Sequence, residues 1–220
     1  MELAIHADRT HTVVVAGAAQ IWIASPEPGV ERRMLERVGG EVALATSIVR
    51  YAAGARFAAH SHALGEEFLV LDGVFCDEGG EYPAGTYVRN PPGSRHAPFS
   101  VGGCVIFVKL RQMLADEPEA VRVRPEQRNW HELKRGVECA QLYGNGRVQV
   151  ELLRLAPGAW LPPRTIAGGE ELFVFSGAVE LEETPTRELP AWPWRRSAES
   201  AQPGLRARSR ALLWAKRGHL

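Results

Sequence analysis

Short apolar runs separated by glycine and proline recur along the whole chain. Examples are TVVVAGAAQIWIA, ALATSIVRY, EEFLVLDGVF, GTYVRN and CVIFVKL, which are rich in Val, Ile, Tyr and Phe. Side chains of these types favour strands, and glycine or proline between the runs favours turns. Many short strands at such intervals are typical of an antiparallel sandwich or barrel. We therefore predict an all-β fold.

One segment, Val30 to Gly40, also fits an amphipathic helix by its pattern. A related segment later in the chain, VECAQLYGNGRVQVELL, contains the hairpin signal Asn145-Gly146, so we predict strands in both places. Phe68 to Leu71 are apolar on both faces of their predicted strand. A strand of this kind is buried on both sides, so either the related later part of the chain or a second subunit should cover its outer face, and a homodimer is expected.

The sequence contains an internal repeat. Tyr51 to Phe75 aligns without a gap to Leu155 to Val179, and VIFVK resembles LLWAK further on. The segment LADEPEAVRVRPEQRN between the copies is charged, contains proline and is poorly periodic, as a linker would be. We predict two tandem domains, residues 1–118 and 119–220.

Composition and charge exclude several partner classes. The chain has 26 basic and 26 acidic residues, so no net field would draw it to nucleic acid or to an acidic membrane. Three cysteines without a CxxC pattern encode neither a disulfide framework nor a zinc ribbon. The sequence shows no signal peptide and no apolar run of about 20 residues, so a cytoplasmic protein is expected.

Three histidines and one glutamate form a candidate metal site. His60 and His62 are two residues apart, so on a strand they face the same side, and Glu66 begins the next strand. His96 follows a proline-glycine turn that returns the chain toward the same interior. Imidazoles with one carboxylate suit one divalent ion. Zinc is the expected ion, with iron, manganese or nickel as alternatives.

The second copy lacks most of these donors. Arg164 and Ile166 replace His60 and His62, Glu170 matches Glu66, and Pro203 or a near neighbour replaces His96. We predict that Arg164 pairs with Glu170 inside the barrel, because a buried carboxylate needs a compensating charge. One metal ion per chain is therefore expected, in the N-terminal domain.

Five further residues are candidates to line a pocket beside the ion. Arg89 would meet an anionic group, and packing in the barrel core or rim is the alternative role for all five. No catalytic residue is assigned. The candidates are Tyr51, Phe68, Tyr87, Arg89 and Phe99.

These residues resemble the two cupin motifs. The pattern G-x5-H-x-H-x3-E-x6-G is met from Gly54 to Gly73, and G-x5-P-x-G-x2-H-x3-N is met from Gly85 onward except for Ser100, where asparagine is usual. The resemblance implies two tandem cupin jelly-roll domains, a bicupin. It also implies that the metal ligands are His60, His62, Glu66 and His96.

Within the cupins, the sequence around DGVFCDEGGEYPAGTYVRNPPGSRHAP is similar to that of the ChrR cupin-like family. In the members that give the family its name, the cupin-like domain follows a helical anti-sigma domain in the same chain and can carry zinc. That helical domain binds an alternative sigma factor in the response to singlet oxygen. This chain has no His-x3-Cys-x2-Cys pattern. Binding of a sigma factor is therefore not expected.

Three functions follow as alternatives. The first is a zinc-binding sensory or regulatory bicupin related to anti-sigma factors, and so to transcription regulation. The second is a metal-dependent dioxygenase acting on a small aromatic ketone or diketone, as in relatives of this cupin group. The third is a structural or oligomerisation role. A small-molecule ligand fits the first two.

Overall fold

The computed structural model describes residues 3–40, 42–183, 187–189 and 192–220. It divides the chain into two compact units. Unit 1 contains Met1–Ala7 and Gln20–Gln127, and unit 2 contains Asp8–Ala19 and Arg128–Leu220. Among the described residues, the helical segments are two short 3-10 turns, Gly17–Ala19 and Pro125–Gln127. None of the described helices is long and apolar enough to cross a membrane.

Unit 1 is built from antiparallel strands, numbered here in chain order across the whole protein. Its large sheet has the order β1-β4-β5-β11-β7-β9-β12, with β3 beside β4 and β8 beside β7. A separate pair joins β6 to β10. The strands are β1 Leu3–Ile5, β3 Ile23–Ala24, β4 Val30–Gly39, β5 Ala43–Tyr51, β6 His60–His62, β7 Glu66–Asp77, β8 Gly80–Pro83, β9 Tyr87–Asn90, β10 Ser94–His96, β11 Cys104–Leu110 and β12 Val121–Val123.

Unit 2 repeats this plan. Its large sheet has the order β13-β14-β15-β24-β18-β21-β2, beside a sheet β16-β23-β19-β20 and a pair β17-β22. The strands are β2 Val13–Ala16, β13 His131–Lys134, β14 Val137–Gly144, β15 Gln149–Leu155, β16 Trp160–Leu161, β17 Arg164–Thr165, β18 Glu170–Ser176, β19 Val179–Glu182, β20 Arg187–Glu188, β21 Pro193–Ser197, β22 Ala201–Gln202, β23 Gly204–Ala207 and β24 Ala211–Arg217.

The strand predictions for the two ambiguous segments are confirmed. Val30–Gly39 is strand β4, and β14 and β15 form a hairpin around Asn145 and Gly146. Leu69 and Leu71 are buried, as are Phe68 and Val70 on the opposite face of β7. The chain is thus all-β in its described part, as the apolar pattern predicts.

The units are not the two contiguous halves, 1–118 and 119–220, that the repeat suggests. The segment expected to act as a linker supplies β12, which pairs with β9 and so belongs to unit 1. The early strand β2 pairs with β21 and belongs to unit 2. Backbone hydrogen bonds at sheet edges decide these memberships, and a repeat alignment does not report them.

Alternation along the strands places an apolar core inside unit 1. Phe68 and Val70 of β7 face the same interior as Ile106 and Val108 of β11. Each fully buried side chain of this size contributes about 1.5–3 kcal/mol. Because side chains alternate, Glu66 faces the same interior as Phe68 and Val70, whereas Glu67 faces the other side.

Two glycines of the first sequence motif permit a test of the turns around this interior. Gly54 and Gly73 both have positive φ, 77° and 70°. A Cβ at Gly54 would meet open space, whereas one at Gly73 would collide with the carbonyl oxygen of Gly103. Gly54→Ala should therefore lower the unfolding free energy by about 1 kcal/mol through backbone strain alone. Gly73→Ala should lower it by about 3 kcal/mol.

Urea denaturation of both variants measures the difference. Equal losses would contradict the close backbone approach at Gly73.

Candidate metal centre

Three histidines converge in unit 1 because of the pairing between β6 and β10. His96 lies directly opposite His60, and Ser94 lies opposite His62. The Nε2 atoms of His62 and His96 are 3.0 Å apart. Ligand atoms of His60, His62 and His96 all lie within 4.8 Å of one another, so these imidazoles could hold one metal ion.

Glu66 brings a carboxylate to the same point. It is the first residue of β7, and its Oε2 atom lies 3.5 Å from Nε2 of both His62 and His96. Its carboxylate also accepts a hydrogen bond of 2.9 Å from Nδ2 of Asn90, which lies opposite on β9. Glu66 is 6% exposed. A buried carboxylate facing imidazoles suits a bound cation better than an empty space.

The donor set fits a first-row divalent ion. Bonds of 2.0–2.2 Å allow two donors of one ion to be at most about 4.3 Å apart. The 3.0 and 3.5 Å separations lie within this limit, and the 4.8 Å span of the histidine group requires only a small shift. Three imidazoles and a carboxylate without a thiolate suit zinc, iron, manganese or nickel.

Neighbouring groups fix which ring nitrogen faces the centre. Nδ1 of His60 lies 2.8 Å from the carbonyl oxygen of Ala58, and Nδ1 of His96 lies 3.2 Å from Oδ2 of Asp77. These acceptors favour a proton on Nδ1 and leave the Nε2 lone pair for a metal. The two rings are therefore oriented as ligands.

A hydrogen-bond network supports two of the four donors. Asp77 accepts hydrogen bonds from the Tyr82 hydroxyl and the Gly79 amide. Arg122 of β12 donates to the Tyr82 hydroxyl at 3.3 Å and to Oδ1 of Asn90 at 2.5 Å. It therefore contacts a partner on the His96 side and a partner on the Glu66 side. The segment that the sequence suggested as a linker thus takes part in positioning the centre.

Burial and neighbouring charges shift the pKa values of three groups at the candidate centre. Burial lowers the pKa of His62. Burial opposes protonation of His96 as well, but the hydrogen bond with Asp77 and the nearby Glu66 charge outweigh it, so the pKa of His96 is raised. Burial also disfavours ionisation of Asp77, yet hydrogen bonds from His96, Gly79 and Tyr82 lower its pKa. Asp77 is therefore an anion that holds His96 in place.

A cavity of about 290 Å³ opens beside these side chains. His60, His62 and Glu66 line it together with mostly apolar residues of β4, β5 and β11. Small-molecule sites are commonly mostly apolar concavities with a few placed polar groups. The candidate centre therefore faces a space that a small ligand could enter.

The structure places the five pocket candidates in different surroundings. Tyr51 lines the cavity. Phe68 packs in the core against Phe75, with ring centroids 4.5 Å apart. Phe99 forms bridges with Arg56 and Cys76, and the Arg56 guanidinium lies 5.0 Å from its ring centroid. Phe68 and Phe99 are not among the described residues that line this cavity.

Tyr87 and Arg89 lie on the opposite face of the large sheet. The Tyr87 hydroxyl donates to Glu67 at 2.8 Å, and Arg89 pairs with Glu117. Both side chains alternate with Val88 and Asn90, so they point away from the interior that Glu66 faces. Neither lines the cavity in the described part of the chain.

The cavity lining includes further residues that the sequence did not indicate, among them Arg37, Phe57 and Arg111. The pairing of β4 with β5 shifts register between Met34 and Glu36, and this bulge turns Arg37 inward. Phe57 lies before the first histidine, with its ring centroid 4.9 Å from that of His60. Phe57 precedes β6 and lies an odd number of residues from His60 and His62, so alternation along the strand would not have pointed to it.

Unit 2 keeps the scaffold and replaces the donors. Arg164 lies opposite Gln202 as His60 lies opposite His96, so Gln202 occupies the place of His96. Arg164 pairs with Glu170 at 2.5 Å, which confirms the predicted ion pair. Arg217 also pairs with Glu170, at 3.0 Å. Two guanidinium groups therefore compensate the charge of this buried carboxylate.

Comparison with known proteins identifies the fold class. Residues 10–114 match the family model described as the ChrR Cupin-like domain. The match and the two-sheet strand arrangement show that the chain has the cupin fold. A search of curated proteins found no significant match.

Solved structures with similar folds are distant in sequence. They include protein Ylba of E. coli, with 14% identity, a TM-score of 0.73 and coverage of 97% of this chain and 93% of that one. Salicylate 1,2-dioxygenase of Pseudaminobacter salicylatoxidans has 12% identity, a TM-score of 0.66 and coverage of 96% and 85%. Oxalate decarboxylase of Lactobacillus farciminis has 10% identity, a TM-score of 0.65 and coverage of 94% and 86%. These likenesses show the fold alone.

The reactivity of the three cysteine thiols tests whether they are buried as the structure shows. Cys76, Cys104 and Cys139 are all buried and free. Burial raises the pKa of Cys76, and it raises the pKa of Cys104 and Cys139 to about 12. At pH 8 a thiol of pKa 12 is ionised to only about one part in 10⁴. All three should react with a disulfide reagent at least about 100-fold more slowly in native protein than in urea.

Thiol labelling followed over time at pH 8 measures these rates. A cysteine that reacts in the native protein as fast as in urea would show that its burial or its raised pKa is wrong.

Proposed function

We propose that unit 1 holds one divalent metal ion on His60, His62, Glu66 and His96 and that the ion acts on a small molecule in the adjacent cavity. The best-supported activity is that of a metal-dependent oxygenase. The observation that carries the proposal is the cavity itself, since His60, His62 and Glu66 all line it.

The cavity weighs against a purely structural metal. Four protein ligands on tetrahedral zinc leave no position for another molecule, as in structural zinc sites. An octahedral ion with the same four ligands keeps two positions open. An open position on such an ion would allow a molecule in the cavity to bind, since His60, His62 and Glu66 line that cavity. Iron or manganese therefore fits the proposal better than the zinc expected from sequence.

The residues of this chain would contribute binding, orientation and exclusion of water. Asp77 and Asn90 hold His96 and Glu66 in fixed orientations. Apolar walls from β5 and β11 keep bulk water from the substrate, which strengthens electrostatic interactions inside. When bound, a divalent ion supplies Lewis acidity and, for iron or manganese, redox chemistry. The protein itself then supplies position and surroundings.

The comparisons support an oxygenase without identifying the reaction. One distant structure of the same fold is a salicylate 1,2-dioxygenase and another is an oxalate decarboxylase. Both are described as enzymes acting on small molecules. For this chain an aromatic ketone or diketone is the substrate class suggested by the sequence resemblance, and oxygen uptake is the reaction to measure.

A regulatory role is the second candidate. The match of residues 10–114 to the ChrR Cupin-like domain favours it. In this reading the same ion and cavity bind a signal molecule, and an oligomer or another protein responds. A sigma factor remains an unexpected partner, and a homodimer is expected.

We also infer a bicupin, with unit 2 as its metal-free copy, because Arg164 pairs with Gln202 in unit 2 as His60 pairs with His96 in unit 1.

Metal content tests the ligand assignment. Protein purified without added metal should contain about one divalent ion per chain, because four donors converge in unit 1. The double variant His60→Ala and His62→Ala should contain none. Glu170→Ala should keep the ion, since Glu170 already pairs with Arg164 and Arg217. Elemental analysis gives the stoichiometry, and metal retained by the double variant would refute the assignment.

A supporting residue offers a finer test of the same centre. Asp77→Ala removes the carboxylate that holds His96, so metal affinity should fall about 10–100-fold. Asp72→Ala is the matched control, because Asp72 is an exposed aspartate on the same strand. Competition with a chelator measures both affinities. Equal affinities in the two variants would argue against the role of Asp77.

Oxygen consumption distinguishes the two functions. Protein loaded with iron or manganese should take up oxygen when aromatic ketones or diketones are added, and the double histidine variant should not. Uptake that depends on substrate would exclude a purely regulatory role. Stoichiometric zinc in the purified protein, with no uptake after loading with iron or manganese, would reject the oxygenase.

A further inference from the structure

The inward face of β5 forms one wall of the cavity. Every second residue of this strand lines it, and Ile106, Val108 and Leu110 of β11 line it as well. The lining residues from β5 are Ala43, Ala45, Ser47, Val49 and Tyr51. A volume of about 290 Å³ is at the lower end of small-molecule sites. The wall therefore suits a small ligand with an apolar body.

Tyr51 provides a polar group that the folded chain does not use. The residue is 6% exposed, and its ring packs edge-on against Phe75 with centroids 5.7 Å apart. Its hydroxyl makes no hydrogen bond to any described residue, although the side chain lines the cavity. A phenol is protonated at neutral pH, so the hydroxyl can donate a hydrogen bond. An oxygen atom of a ligand would satisfy it.

Arg37 and Arg111 lie toward the other end of the same wall, whereas Arg32 pairs in register with Val49, near Tyr51. Arg37 pairs in register with Ala45, and Ala45 also pairs with Leu110, which precedes Arg111. Ala45 and Tyr51 are six residues apart on β5, or about 20 Å along an extended strand. The backbone positions of the arginine end and of Tyr51 are therefore well separated along one wall of the cavity.

Arg111 is held beside the candidate metal centre in an unusual backbone conformation. Its φ is 59°, and its backbone amide donates a 2.9 Å hydrogen bond to the carbonyl of Gly65, next to Glu66. The guanidinium makes no ion pair or hydrogen bond to any described residue. Left-handed backbone at a residue other than glycine costs about 1–2 kcal/mol and is concentrated at functional sites.

The charge of the lining is unbalanced. Three arginines, Arg32, Arg37 and Arg111, line the cavity, whereas Glu66 is the carboxylate among its described lining residues. Arg32 and Arg37 also interact with other groups of the chain, and Arg37 donates a hydrogen bond to the carbonyl oxygen of Gly40, so the inference rests on Arg111. A bound divalent ion would add further positive charge. A cavity with low-dielectric walls and one sign of charge attracts and retains the opposite sign.

We propose that this cavity binds a small, elongated organic anion, with its charge at the Arg111 end, its apolar body along β5 and β11, and a distal oxygen that accepts a hydrogen bond from Tyr51. The inference deepens the proposed function and rests on it, since the same cavity would hold the substrate or signal molecule. It assigns Arg111 and Tyr51 as residues that determine specificity.

Three related probes separate the two contacts. 3-Phenylpropanoate and 3-phenylpropanamide differ in charge, and 3-(4-hydroxyphenyl)propanoate adds a distal hydroxyl. Metal content is measured first in every sample, and binding is then measured by calorimetry. Wild-type protein should bind 3-phenylpropanoate at least about 10-fold more tightly than the amide. The distal hydroxyl should increase affinity by about 5-fold, as one additional hydrogen bond would.

Variants assign these preferences to the two residues. Arg111→Gln should weaken binding of 3-phenylpropanoate about 10-fold and leave binding of the amide within about 2-fold. Its matched control is Arg124→Gln, because Arg124 is exposed and contacts the carbonyl oxygen of Glu81 outside the cavity. Tyr51→Phe should remove the gain from the distal hydroxyl and leave binding of 3-phenylpropanoate unchanged.

The outcomes distinguish this inference from the proposed function. Metal-loaded protein that binds the acid and the amide equally, or binds neither, would overturn the inference while the metal centre stands. Equal effects of Arg111→Gln and Arg124→Gln would also overturn it. Absence of metal in the wild-type protein would instead count against the proposed function.

Discussion

The register between β6 and β10 is the constraint on which the candidate centre depends. It places His96 directly opposite His60, and alternation along β6 then brings His62 to the same side. The turn after β6 delivers Glu66 within 3.5 Å of two of these imidazoles. A slip of one residue would send the donors to opposite faces. The candidate metal centre therefore depends on the backbone pairing of β6 and β10 as much as on the four side chains.

Compensation of a buried carboxylate explains why the two repeats differ as they do. Glu66 and Glu170 occupy matching positions, and each is buried. A buried negative charge needs a nearby cation. In unit 2 the positive charge comes from side chains of the protein, since Arg164 and Arg217 form ion pairs with Glu170. In unit 1 the surroundings are imidazoles, which can deliver a metal ion to the carboxylate. The same fold thus accepts either solution.

Much of this arrangement was predictable from sequence, and the errors have physical causes. Spacing of two on a strand and a proline-glycine turn brought His60, His62 and His96 together, and charge compensation predicted the Arg164 pair. Alternation along β9 should have excluded Tyr87 and Arg89 from the pocket candidates, because they point away from the interior that Glu66 faces. A bulge in β4 turns Arg37 inward, and no local sequence pattern predicts this bulge. Edge pairing placed residues 8–19 in unit 2, which a repeat alignment does not reveal.

X-ray absorption spectroscopy of the metal as purified tests the central claim most directly, because it reports the atoms bound to the ion. We expect the ion to be bound by nitrogen and oxygen atoms only, with multiple scattering from three imidazoles. Sulfur bound to the ion, or scattering from fewer than three imidazoles, would contradict this expectation.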